Sequence, residues 1–138
     1  MLANSPIAAM VPCVDLERAR RFYGETLGLP EMAVPTSEDE DGSSDGIAFQ
    51  CGGGTMLFVF RRDDPVTADH TEAGWMVTDF DAVADDLISR GITFDTYPEM
   101  PDVQWDERGI ATYSGSGEKT AWFKDPEGHI LAIGSMPA

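Results

Sequence analysis

The chain has 138 residues, 42% of them hydrophobic, a size and composition that suit one ordinary domain with one core. Twenty-five acids against nine Lys and Arg give a formal net charge of −16, which excludes the clustered basic surface that nucleic acid or an anionic membrane requires. No apolar run approaches the roughly 20 residues of a membrane helix, and Met1 to Pro12 lacks the basic start and cleavage site of a secretory peptide, so a cytoplasmic location is expected.

The sequence reads as two similar halves. The first opens with an apolar strand, Ile7 to Val14, followed by DLERARRFYGETLGL at 15–29. Asp15 suits a helix N-cap, because its carboxylate can accept from the free amides of the first turn. Leu16, Ala19, Phe22, Tyr23 and Leu27 recur at helical spacing, and Gly28 suits the stop. Strands are expected at Glu31 to Pro35, Gly46 to Cys51 and Thr55 to Phe60, with the glycines 52–54 turning between the last two. SEDEDGSSDG at 37–46 and RRDDPVTADH at 61–70 read as polar loops.

The second half repeats the plan. A strand is expected at Glu72 to Thr78, and Asp79 is placed to cap a helix in DFDAVADDLISRG. There Phe80, Val83, Ala84, Leu87 and Ile88 form an amphipathic stripe ending at Gly91. Strands follow at Thr93 to Tyr97, Ile110 to Ser114, Lys119 to Lys124 and His129 to Ile133. The second and third of these pair across SGSG at 114–117, and DPEG at 125–128 is a turn with Pro second and Gly fourth. The expectation is an α+β domain over 1–138: βαβββ twice, module 1 at about 5–60, a linker at about 61–70 and module 2 at about 71–135, the second copy elaborated. Cys13 and Cys51 form no CxxC pair and read as packed thiols.

DLERARRFYGETLGL at 15–29, VTDFDAV at 77–83 and WFKDPEGHILAI at 122–133 together resemble the vicinal oxygen chelate superfamily, the glyoxalase, bleomycin-resistance and dioxygenase-like domains. Among these the chain is similar to small glyoxalase-like proteins containing AWFKDPxGN. The resemblance implies paired βαβββ modules forming a curled, partly open mixed sheet around a cleft, commonly in a homodimer. It also implies a divalent metal held by His, Glu or Gln from the first and last strands of each module. Counting from Asp15, Asp79, Gly54 and Gly128 puts Ala8, Phe58, Glu72 and Ala132 at those positions. Ala and Phe have no donor atom, and three protein ligands are the usual minimum for an open catalytic site, so no metal is expected. His70, two residues before Glu72, reads as an exposed linker residue, and His129 as a turn residue serving backbone groups.

Strand parity gives the inner face Ala8, Met10, Pro12, Met56, Phe58, Phe60, Glu72, Gly74, Met76, Ile130, Ala132 and Gly134. This is an apolar lining with one carboxylate, and Tyr97, Trp105, Tyr113 and Trp122 can add aromatic faces for a planar ligand. The leading expectation is therefore a metal-independent protein that binds a small organic molecule, cationic or aromatic, for sequestration or resistance. Its ligand-binding candidates are Met10, Phe58, Phe60, Glu72, Met76, Tyr97, Trp105, Tyr113 and Trp122. The second is an enzyme of the same fold, metal-assisted or using Glu72 as general base, since a carboxylate in apolar surroundings is suited to taking a proton. The third is an interaction or regulatory module using the acidic surface. No nucleophile triad, phosphate loop or dinucleotide fingerprint is present in the sequence.

Overall fold

The computed structural model describes residues 1–33 and 46–136. The loop expected at 37–46, apart from Gly46, and the end of the strand expected at Glu31 to Pro35 lie outside the described residues. The chain divides into two compact units: Met1–Thr67 with Pro126–Gly128, and Ala68–Asp125 with His129–Ala138.

Unit 1 carries a mixed four-stranded sheet in the order β1-β4-β3-β2. Its strands are β1 (Ala8–Cys13), β2 (Glu31–Met32), β3 (Gly46–Gln50) and β4 (Met56–Arg61). β1 runs parallel to β4, with Met10 opposite Phe58, while β3 and β4 form an antiparallel hairpin. Its turn holds Gly53 and Gly54 at φ +65° and +79°, a region that favours glycine. Alternation sorts the side chains. Val11, Ile47, Phe49, Leu57 and Val59 are buried on one face, whereas Met10 on the other is 67% exposed. The helix packs Tyr23 onto Phe49 over the buried face, ring centroids 5.9 Å apart.

That helix begins as expected, with the Asp15 carboxylate accepting from the Arg18 amide at 3.1 Å. The α-helical part, α1, is short (Leu16–Ala19), and the chain then widens into a π-helix over Arg20–Thr26. The five-residue bond from the Leu27 amide to the Phe22 carbonyl, 2.9 Å, marks the wider turn. Gly28 stops it at φ +74°. The N-terminus has a second cap from far along the sequence. Glu127, in the DPEG turn, accepts from the Val14 amide at 2.6 and 2.8 Å and from the Asp15 amide at 3.1 Å.

Unit 2 carries a five-stranded sheet in the order β5-β9-β8-β7-β6. Its strands are β5 (Thr71–Val77), β6 (Val103–Trp105), β7 (Ala111–Tyr113), β8 (Lys119–Lys124) and β9 (Ile130–Ser135), and helix α2 covers Phe80–Ser89. β5 and β9 are parallel and the other pairs antiparallel. Ala84, Leu87, Phe94, Ala121, Phe123, Leu131 and Ile133 form the core, while Ile88, placed on the helix stripe by its spacing, is 38% exposed.

The structure differs from the sequence reading at three points here. Asp79 occupies the N-cap position of α2, but its side chain makes no cap bond. The strand expected at Thr93 to Tyr97 is reduced to a single bridge, Asp95 with Trp122, and Pro98 and Pro101, which have no N–H to give, stop the pairing from continuing beyond it. A strand not expected from the sequence, β6, pairs with β7 and forms the edge of the sheet. The two units are thus βαβββ and βαββββ.

Candidate functional site

The face of the unit 2 sheet opposite the helix side is a lattice that the register defines. One row runs Met76, Gly134, Thr120, and the next runs Gly74, Ala132, Trp122. Small residues at 74, 132 and 134 leave a depression of about 220 Å³, lined also by Met76 and Thr120. Met76 lies flat over Gly134, its Sδ 3.4 Å from where a Cβ would stand, and it is 60% exposed. A larger space of about 370 Å³ beside the start of α2 is lined by Asp79, Asp81, Ser116, Glu118 and Lys119 among others. It holds none of the residues nominated from the sequence.

Of the four aromatics nominated in the second half of the chain, Tyr97 and Trp105 meet Trp122. Tyr97 stands edge-on to it, with ring centroids 5.6 Å apart and planes at 89°. Trp105 is tilted against it at 6.0 Å. Trp105 pairs with Ala111, which pairs with Thr120, so β6 presents Trp105 on the same face as Trp122. Tyr113 shares that face by parity, opposite Val103. The Trp122 indole N–H donates to the Thr71 hydroxyl at 3.1 Å, which fixes the ring's tilt. Burial, and then the Asp95 carboxylate, push the Tyr97 phenol above its ordinary pKa, so it stays a neutral hydroxyl at physiological pH.

Glu72 sits at an irregularity. Thr71 pairs with Ile130, but Ala73 already pairs with Leu131, so Glu72 is the extra residue of a β-bulge. The bulge interrupts the strict alternation that grouped Glu72 with Gly74 and Met76, and it brings Thr71 into the row of Ile130. Glu72 Oε2 instead lies 2.5 Å from His129 Nδ1, a close contact rather than an aligned hydrogen bond. The His129 side chain is 1% exposed and that of Glu72 16%. The His129 amide donates to Asp125 Oδ1 at 2.9 Å, closing the DPEG turn that sets the imidazole in place. His129 therefore does more than serve backbone groups. Its partnership was missed because the two residues lie 57 positions apart and the bulge is invisible to a period-2 count. His70 is exposed, its Nδ1 3.0 Å from the Thr71 carbonyl.

In unit 1 the nominated residues stand on the face opposite the helix. Met10 faces Phe58 across β1 and β4, and Phe60 faces Pro12. The Phe58 ring lies over Gly46 so closely that a Cβ there would come within 2.5 Å of it.

The family model described as the Glyoxalase/Bleomycin resistance protein/Dioxygenase superfamily matches residues 7–133. The chain belongs to this superfamily. Solved structures agree with the fold. A protein described as of the glyoxalase family from Bacillus anthracis has a TM-score of 0.68 at 22% identity, covering 94% of this chain and 92% of its own. The glyoxalase family protein from Enterococcus faecalis has a TM-score of 0.66 at 18% identity, covering 97% and 99%. The oxidase ChaP-H2 has a TM-score of 0.63 at 20% identity, covering 96% and 94%. No curated protein matches the chain.

The divalent ion that many members of this superfamily use does not fit the residues present. In unit 1, Ala8 and Phe58 offer no donor. In unit 2, Ala132 offers none, and Glu72 Oε2 is engaged by His129. Among the described residues no three His, Cys, Asp or Glu side chains are grouped to hold a metal, short of the usual three protein ligands.

Proposed function

We propose that this glyoxalase-superfamily protein is a metal-independent small-molecule binder, of the sequestration or resistance kind, whose ligand is a planar aromatic cation. The observation that carries this reading is the gathering of Tyr97, Trp105 and Trp122 beside the floor of Gly74, Ala132 and Gly134. A half-buried indole paired across the strands with Ala132, next to the small residues of the floor, offers a flat ring a stacking partner with room beside it. A net charge of −16 raises the local concentration of cations, and aromatic faces attract them at short range. Titration of the protein with a planar aromatic cation and with a neutral ring of the same shape, followed by tryptophan fluorescence, tests this. Saturable quenching by the cation, weaker for the neutral ring and lost in Trp122→Ala, is expected. Equal, unsaturable quenching by both would overturn the reading.

The Glu72–His129 pair supports a second reading, an enzyme of the same superfamily with Glu72 as general base. A carboxylate 16% exposed and in close contact with a buried imidazole is placed where it could take a proton from a bound ligand. Turnover of a bound ligand that disappears in Glu72→Gln, with binding retained, would move the protein into this class.

A further inference from the structure

Trp105 rides on the least anchored part of its sheet. β6 is a three-residue edge strand, and β7 joins β8 through only two paired positions, Ala111 with Thr120 and Thr112 with Lys119. The turn between β6 and β7, Asp106 to Ile110, is tight. Asp106 Oδ1 accepts from the amides of Arg108 and Ile110 at 2.9 and 3.0 Å, and the Gly109 amide donates to the Asp106 carbonyl at 3.1 Å. From this turn Arg108 reaches out to α2. Its guanidinium donates to Asp85 at 3.0 Å, to Asp81 at 3.0 Å and back to Asp106 at 3.1 and 3.2 Å. Lys119 on β8 donates to the other Asp81 oxygen at 2.9 Å. One planar fork thus spans three carboxylates from two elements, which a point-charge ammonium at the same place cannot do.

We propose that Arg108 is a positioning residue for the aromatic site: by clamping the β6–β7 turn to α2, it holds Trp105 against Trp122. This rests on the reading of that face as the ligand site, but its structural half stands independently of any ligand. Asp106 directly follows Trp105, so the carboxylate that Arg108 grips is one residue from the indole. Without the clamp, the arm is held by the two β7–β8 pairs and the bond from the Tyr113 amide to the Glu118 carbonyl, none of which reaches the outer strand β6, and Trp105 moves away from Trp122.

The test is Arg108→Gln compared with Arg90→Gln. The second substitution removes another α2 ion pair, Arg90 with Asp86. Near-UV circular dichroism of the ligand-free proteins reads the Trp105–Trp122 coupling, and hydrogen exchange over 103–113 reads the arm. Loss of the coupled band and of protection in Arg108→Gln, with both retained in Arg90→Gln and the far-UV spectrum of Arg108→Gln unchanged, is the expected result. Affinity for a planar aromatic cation should fall about fivefold in the same variant, the size expected for loss of a surface network near 1 kcal/mol. If the two variants behave alike, Arg108 is an ordinary surface cation and the proposal is overturned. If the wild-type protein binds no aromatic cation while Arg108→Gln still loses the band, the clamp stands and the proposed function falls.

Discussion

A carboxylate and an imidazole 2.5 Å apart, with the imidazole shut away from water, stabilise the fold as a pair and not separately. Removing one partner takes this contact away from a buried polar atom of the other, at a cost of about 1–3 kcal/mol. Glu72→Gln and His129→Asn should therefore each lower the urea midpoint, and the double variant should lose less than the sum, since two amides can bond each other. Strictly additive losses would show that the two side chains do not interact in solution. Glu72 was legible as the one ionisable residue among four family positions. His129 was not, because a strand's alternation predicts faces only while the ladder stays regular, and the extra residue at the start of β5 shifts the register there.

At the scale of elements, the β6–β7 arm is where local chemistry decides most. Gly109 has φ +89°, and a Cβ on it would stand 3.0 Å from the Phe94 carbonyl oxygen. Gly109→Ala is strained by both backbone and space and should cost about 1 kcal/mol or more, with the faster hydrogen exchange confined to the arm. Unchanged exchange at 103–113 would mean that the turn relaxes freely. Acid should act on the same arm. Hydrogen bonds from Lys119 and then Arg108 hold the Asp81 carboxyl below the usual carboxylate value. At Asp106 desolvation acts upward, but the Ile110 amide and Arg108 outweigh it and the net shift is also downward. A depressed folded pKa contributes stability that is complete above the unfolded value and is lost as pH falls through the folded one. The Trp105–Trp122 dichroism should thus persist to about pH 4 and fade below it, whereas in Arg108→Gln it should be weak throughout. A midpoint near neutrality would point to groups other than these carboxylates. Elements with strong periodicity, such as β4, β8 and α2, were readable from spacing. β6 was not, since three residues between Asp102 and a DERG turn give too short an alternation. The π-helix after α1 was hidden because Leu16, Ala19, Phe22, Tyr23 and Leu27 fit an α-helical stripe almost as well.

For the whole molecule the governing quantity is a net charge of −16 on 138 residues. Self-repulsion on this scale opposes compaction, and salt screens it. Raising ionic strength from about 0.01 M to about 1 M shortens the Debye length from about 30 Å to about 3 Å. The thermal midpoint should rise by several degrees over that range, against a small opposing loss from the Arg108 and Lys119 ion pairs. Ligand capture should respond in the opposite sense. If the acidic field steers a cation towards the aromatic face, its association rate falls steeply with salt, while its dissociation rate, set by stacking on Trp122 and Trp105, hardly changes. A neutral ring of the same shape should show no salt dependence in either rate. Salt-independent association of the cation would assign the acidic surface to solubility alone and leave recognition to the aromatic face.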